Sequence, residues 1–251
     1  MLPAHFNPQG RPLLWAHRGA SAEAPENTVA AFSLALAQGT DGIELDAQRC
    51  ASGEVVVLHD ESLVRTTGFA ALLADASYSV VRTLDAGAWK GDKFRGERIP
   101  LLAEALEAFP RLVNVELKCE GRDDGGLTGE VVRVVRAARA EERVLLSSFN
   151  LLCLWRARLL APRIPRALLF ESGQRWAFRS GIGAPILGVQ ALHPEHVLAT
   201  AERVRRWRRR GYSVACWTVD DPELAARLHR GGVGAIFTNR PALMRARWPS
   251  S

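Results

Sequence analysis

Long hydrophobic runs are missing: no apolar stretch approaches the roughly 18 residues needed to cross a bilayer, which excludes a membrane-spanning helix. The opening residues, MLPAHFNPQGRPLLWAHRGA, hold no cationic segment followed by an apolar one. No secretory signal is therefore expected, and a cytoplasmic location is. Cysteine is sparse and dispersed. Cys50, Cys119, Cys153 and Cys216 stand singly, without C-x-x-C spacing. That argues against a zinc site, a disulfide framework or a catalytic thiol, and favours small, partly buried side chains. Lysine occurs only at positions 90, 93 and 118, although Lys and Arg together number 33 and the formal charge is +6. Internal repeats and low-complexity segments are absent as well.

The basic excess invites a nucleic-acid or membrane partner, most of all at Arg203–Arg210 (RVRRWRRR). Arginine, however, is this chain's general choice for solvated positions. Val204 and Trp207, with Leu198 and Ala201, recur at helical spacing, so one face should pack on the core while the arginines meet water. No nucleic-acid partner is expected on this basis. Hydrophobic residues make up 47 % and charged residues 24 % of 251 positions, the balance of an ordinary globular protein, and the length suits one β/α barrel over residues 1–251.

Strand-like and helix-like runs alternate from end to end. The strand candidates are Leu13–His17, Gly42–Asp46, Val55–His59, Leu112–Lys118, Arg143–Ser148, Arg166–Phe170, Gly188–Leu192, Ser213–Val219 and Ala235–Thr238. Helical patterns cover Thr28–Ala37, Leu101–Ala108, Gly129–Ala140, Leu151–Leu160, His196–Arg209 and Pro222–His229. The alternation predicts an α/β fold with a parallel sheet, a (β/α)8 TIM barrel. Nine candidates compete for its eight places. Gly42–Asp46 and Val55–His59 are joined by only eight residues, too few for a crossover helix, so the joint is either a hairpin or a bare returning loop. Residues 60–100, after the third strand, have weak periodicity and exceed an ordinary βα loop, and are expected to form a short insertion over the barrel mouth.

Polar residues gather where a barrel keeps its chemistry, at the carboxyl ends of strands. AHRGA ends in the first, GIELDA in the second and VVVLHDE in the third. Glu44 and Asp46, two apart on a strand, project to the same side. Paired carboxylates in a barrel mouth repel and lose hydration, for which a divalent cation compensates. Glu116 in NVELK can complete an all-oxygen set suited to Mg²⁺ or Ca²⁺, and also to Mn²⁺. Lys118, on the same strand face, can meet a phosphate; alternatively, Glu116 and Lys118 form a structural ion pair. His17 and His59 are the natural acid–base pair, since imidazole titrates near neutrality. Arg18 offers a planar fork to phosphate oxygens. Glu26 and Asn27 lie in the β1–α1 loop within reach of substrate, with Thr28 as a helix cap. Trp217, at a strand tip, suits an apolar wall against a substrate's carbon skeleton. His193 is a weaker candidate near a strand end, and His5, His196 and His229 look incidental.

HRG at 17–19, PENT at 25–28, ELD at 44–46, HDESLVRTTG at 59–68, LDAG at 84–87, IPLLAEAL at 99–106, ELK at 116–118, SSF at 147–149 and WTV at 217–219 stand in order along nearly the whole chain. Together this series resembles the motifs of bacterial glycerophosphodiester phosphodiesterases. The resemblance implies hydrolysis of a small-molecule glycerophosphodiester to glycerol 3-phosphate and an alcohol. It also implies a divalent cation on Glu44, Asp46 and Glu116, with His17 and His59 as general base and acid. Attack of the glycerol 2-hydroxyl on phosphorus would give a cyclic phosphate that water then opens. Rival functions on the same barrel are a lysophospholipase D activity or phosphodiester binding without turnover. Three positions depart from the pattern: Asp220, where Asn is common, and Gly234 and Asn239, where Asp is frequent. These departures are expected to affect rim contacts and the substrate's tail.

Overall fold

The computed structural model describes every residue except 7–10, 120, 122, 176–180 and 248–251. The ring of eight parallel strands is β1 (Leu13–His17), β2 (Gly42–Arg49), β4 (Leu112–Leu117), β5 (Val144–Ser148), β6 (Arg166–Phe170), β7 (Ala191–Pro194), β8 (Ser213–Cys216) and β9 (Ala235–Thr238). Each pairs in parallel with its neighbour, and β1 closes the ring by pairing with both β2 and β9. Almost every strand position is buried, because these strands have helices outside and packed side chains within.

The ninth candidate resolves as a hairpin. β2 runs three residues beyond its expected end, and β3 (Val55–Val57) returns antiparallel to it, with Ala47 opposite Val57 and Arg49 opposite Val55. His59 is therefore not at the end of a barrel strand. The hairpin carries the chain past the rim and back, and Leu58 N donates to Asp46 O (2.9 Å), which sets His59 at the level of the carboxylates.

Six helices follow the alternation: α1 (Val29–Ala37), α4 (Leu102–Ala108), α5 (Leu127–Ala137), α6 (Leu151–Leu160), α8 (Ala201–Arg209) and α9 (Pro222–Arg230). Thr28 caps α1, accepting from Ala31 N. Several expected bounds shift, two of them for a visible reason. The stretch His196–Arg209 breaks into a 3₁₀ turn at His196–Leu198 and α8, because the Thr200 side chain accepts from Arg203 N and starts a new helix. Gly188 belongs to no strand: in the left-handed conformation (φ 60°) it ends the short helix α7 (Ala184–Leu187), so β7 begins at Ala191. Along α8, Val204 and Trp207 are buried and Arg205, Arg206, Arg208 and Arg209 are exposed, as the spacing predicts, but Ala201, expected on the same packed face, is exposed. A final helix, α10 (Pro241–Arg245), follows β9.

Residues 60–100 form α2 (Val64–Thr67), α3 (Tyr78–Val81) and three 3₁₀ turns. Leu58, Leu63, Leu73, Val81 and Ile99 give this segment a small core of its own. Lys90 Nζ donates to Ser21 O (2.7 Å), and Arg65 pairs with Glu26, so the segment is tied to the loop after β1.

Candidate active site

β1 delivers His17, after which the chain turns sharply through Arg18 (φ 55°) and Gly19 (φ 81°). A Cβ on Gly19 would lie 2.7 Å from the backbone of Ala31, so the close packing of α1 on this turn requires glycine. The turn aims Arg18 inward. Its backbone N donates to Glu44 Oε2 (3.0 Å), its Nε lies 3.3 Å from Asp46 Oδ2, and its Nη1 donates to Glu26 Oε1 (3.0 Å).

β2 and β4 supply the acids. Glu44 and Asp46 project from one face of β2, and Glu116 stands opposite Asp46 in the β2–β4 register. One carboxylate oxygen from each of the three lies within 4.8 Å of the others. Burial and the neighbouring charges of Asp46 and Glu116 raise the pKa of Glu44 well above its ordinary value. Burial and Asp46 raise Glu116 to about 7. For Asp46, burial alone would act upward, but the charges of Arg18, His59 and Lys118 and the Asn27 hydrogen bond hold it below the usual range. Glu44 Oε1 and Asp46 Oδ1 are buried without a hydrogen-bond partner. Buried carboxylate oxygens that repel one another and lack donors fit a hard cation, so this set can hold a metal ion.

The two histidines face the same cavity of about 500 Å³, whose lining includes Arg18, Glu44, Glu116, Lys118 and Trp217. His17 Nδ1 lies 2.8 Å from Asn239 Oδ1, and its Nε2 lies 3.9 Å from Glu44 Oε2. Burial, then the Arg18 charge, lower the His17 pKa to about 4. His59 Nδ1 lies 2.7 Å from Asp60 Oδ1. Hydrogen bonding from Arg65 leads the effects that hold Asp60 at about 2. Lys118 Nζ is 3.3 Å from Glu116 Oε1 and 4.0 Å from Asp46 Oδ1. Lys118 thus forms the expected ion pair and also lies on the cavity wall. Trp217 forms that wall with Phe149, edge to face at 5.6 Å, its Nε1 donating to His193 O (2.8 Å).

Residues 17–243 match the glycerophosphoryl diester phosphodiesterase family. The chain belongs to this family. It is 37 % identical over 234 residues to a glycerophosphodiester phosphodiesterase of Caldanaerobacter subterraneus subsp. tengcongensis, covering 91 % of this chain and 94 % of that one. Among solved structures it is similar to an Oleispira antarctica phosphodiesterase in complex with the product sn-glycerol-3-phosphate (32 % identity, TM-score 0.87, 94 % of this chain and 96 % of the other). It is also similar to a glycerophosphodiester phosphodiesterase of Agrobacterium tumefaciens (29 % identity, TM-score 0.77, 94 % and 99 % covered).

Two expected substrate contacts of this family member lie elsewhere. Asn27 is buried, donates from Nδ2 to Asp46 Oδ2 (2.8 Å) and accepts from Asp46 N (3.3 Å), so it braces a carboxylate. Glu26 is held between Arg18 and Arg65. Neither lines the cavity. His193 points into the barrel below the site, its ring edge on Phe237 at 5.0 Å, and burial lowers its pKa to about 3. The side chain of His5 lies outside the described residues. Asp60 and Asn239 were not expected to touch the histidines. Asp60 could have been found from its adjacency to His59. Asn239 is 222 residues from His17, and no spacing shows that contact.

Proposed function

We propose that this chain hydrolyses glycerophosphodiesters to sn-glycerol 3-phosphate and an alcohol, with His17 as general base and His59 as general acid. The observation that carries the proposal is that both rings are held through Nδ1, by Asn239 and Asp60, leaving both Nε2 atoms for one cavity that Glu44 and Glu116 also line. Glu44, Asp46 and Glu116 would hold a divalent cation, Mg²⁺, Ca²⁺ or Mn²⁺, which when bound supplies charge stabilisation to a phosphoryl oxygen. A cytoplasmic setting and a small-molecule substrate belong to the same proposal.

The different surroundings of the two rings support different roles. Burial and the Arg18 cation favour an unprotonated His17, which is ready to take a proton from the attacking hydroxyl at Nε2. His59, held through Nδ1 by Asp60, presents Nε2 to the leaving alcohol oxygen as the proton donor. Arg18 and Lys118 place positive charge beside the phosphoryl group as negative charge grows on its oxygens. In the second step, water opens the cyclic phosphate with the two roles exchanged. Trp217 and Phe149 give the carbon skeleton an apolar wall. The product seen in the Oleispira relative supports the choice of substrate class.

The test is release of sn-glycerol 3-phosphate from glycerophosphocholine, with and without chelator, followed by single-cation add-back. Turnover abolished by chelation and restored by one cation supports the proposal. Cleavage of lysophosphatidylcholine but not glycerophosphocholine, or binding without turnover, overturns it.

A further inference from the structure

Two of the positions that depart from the family pattern, Asp220 and Asn239, form a single hydrogen-bonded pair behind His17. Asp220 lies just beyond β8, and Asn239 directly follows β9. Asp220 Oδ1 accepts from Asn239 N (2.7 Å) and Thr238 Oγ1 (2.8 Å), and its Oδ2 accepts from Asn239 Nδ2 (2.7 Å). With the carboxylate accepting throughout, the Asn239 amide must turn its NH₂ toward Asp220 and its carbonyl oxygen toward His17. That oxygen is 2.8 Å from His17 Nδ1 and also 2.9 Å from Ser21 Oγ. A carbonyl oxygen can only accept. The proton of a neutral His17 therefore sits on Nδ1, and the lone pair on Nε2 faces the cavity.

We propose that Asp220 is a positioning residue that sets the His17 tautomer by fixing the orientation of the Asn239 amide. Exchanging the carboxylate and the amide between the two positions would keep every hydrogen bond and place the formal charge directly beside the ring. The inference rests on the reading of His17 as the base, but the tautomer can be measured independently of activity.

The exchange predicts how single and double variants behave. In Asp220→Asn, the new side-chain oxygen must still accept from Asn239 N, so its NH₂ faces the Asn239 amide. Asn239 is then driven to flip, presenting NH₂ to His17 Nδ1 and leaving the ring proton on Nε2, where it blocks proton abstraction. In the double variant Asp220→Asn with Asn239→Asp, the carboxylate now at position 239 accepts from both the amide at position 220 and His17, and the Nδ1–H tautomer returns.

The experiment is ¹⁵N NMR of the histidine rings in the full-length protein, with kcat and KM for glycerophosphocholine and thermal melting for each variant. Asp220→Asn should move His17 to the Nε2–H tautomer and lower kcat by on the order of 10²-fold, the scale of a general base, with little change in KM. The double variant should restore both the tautomer and most of the rate. An unchanged tautomer and kcat in Asp220→Asn overturns the proposal, as does a double variant that melts like the parent but keeps the Nε2–H ring. If instead the tautomer shifts as described while His17→Ala retains full turnover, the role given to His17 is what fails.

Discussion

Asp60 Oδ1 lies 2.7 Å from Nδ1 of its chain neighbour His59, while Asp60 Oδ2 accepts from Arg65 Nε. The histidine delivered by the β2–β3 hairpin is thus backed by a carboxylate that is itself held by a cation on α2. His59→Ala should lower kcat by on the order of 10²–10⁴-fold, with fold and cation binding kept. Steady-state turnover checks this, and an active variant would remove His59 as proton donor. Asp60→Asn should lose less, because the ring keeps a hydrogen-bonding partner but no longer a charge.

Arg65 extends that chain of contacts across the site. It reaches Glu26 through Nη1 (2.9 Å) and Nη2 (2.8 Å), and Glu26 in turn holds Arg18. Its side chain is 42 % exposed, so its ion pairs should add only about 0–1 kcal/mol to stability. Arg65→Ala should therefore melt close to the parent, yet lower kcat by about tenfold as Asp60 and Glu26 lose their common anchor. Equal losses of melting temperature and rate would mean that Arg65 acts only on the fold.

Glu44→Gln keeps the shape of the side chain and removes its charge. The cation concentration giving half-maximal activity should rise by at least about tenfold, since even outer partners of a metal site are worth that much. Titration with Mg²⁺, Ca²⁺ and Mn²⁺ measures it. An unchanged requirement would exclude Glu44 from the ligand set.

With cations chelated, stability should depend on pH in an unusual direction. Glu44 and Glu116 have raised pKa values in the folded protein, Glu116 to about 7 against an ordinary 4.5. For these two groups the folded state holds protons that the unfolded chain has lost, and their contribution to stability falls as pH rises from about 4.5 through 7. The depressed pKa of Asp46 acts oppositely below its ordinary 3.8, and the lowered pKa values of His17 and His193 act oppositely up to their ordinary 6.5, so the fall dominates above that value. The chelated protein should melt higher at pH 6 than at pH 8, and a bound cation should raise the melting temperature more at pH 8. A melting temperature that climbs from pH 6 to pH 8 under chelator would contradict the carboxylate repulsion inferred here.

At the barrel floor, Gly42 leaves room for Trp15: an added Cβ would come within 2.4 Å of the indole and 2.8 Å of Leu112 O. Gly42→Ala should cost about 1–3 kcal/mol, read as a lower denaturant midpoint with an unchanged slope.

Much of this architecture is legible in the chain because its signals are local. The strands Leu13–His17, Arg166–Phe170 and Ala235–Thr238 and the helix Leu151–Leu160 have the bounds their patterns predict. Glu44 and Asp46 share a face because alternation along a strand is a property of the backbone alone. Boundaries shift where one side chain or one left-handed residue intervenes, as at Thr200 and Gly188. The contacts of Glu26 and Asn27, with Arg18, Arg65 and Asp46, were illegible for a different reason. A loop above a barrel mouth is within reach of both substrate and carboxylates, and only packing selects between them.

The sequence by itself determined the alternation of strands and helices, the sidedness of the carboxylates and the arrival of two histidines and an arginine near strand ends. Each follows from backbone periodicity or from residues a few positions apart. Tertiary structure alone decided that Val55–Val57 is a hairpin strand outside the barrel and that Glu116 stands beside Asp46. It alone decided too that Asp220 and Asn239 meet behind His17. Those relations depend on ring closure and inter-strand register, which bring together groups separated by tens to hundreds of residues, and no local pattern in a chain records which of its distant parts will touch.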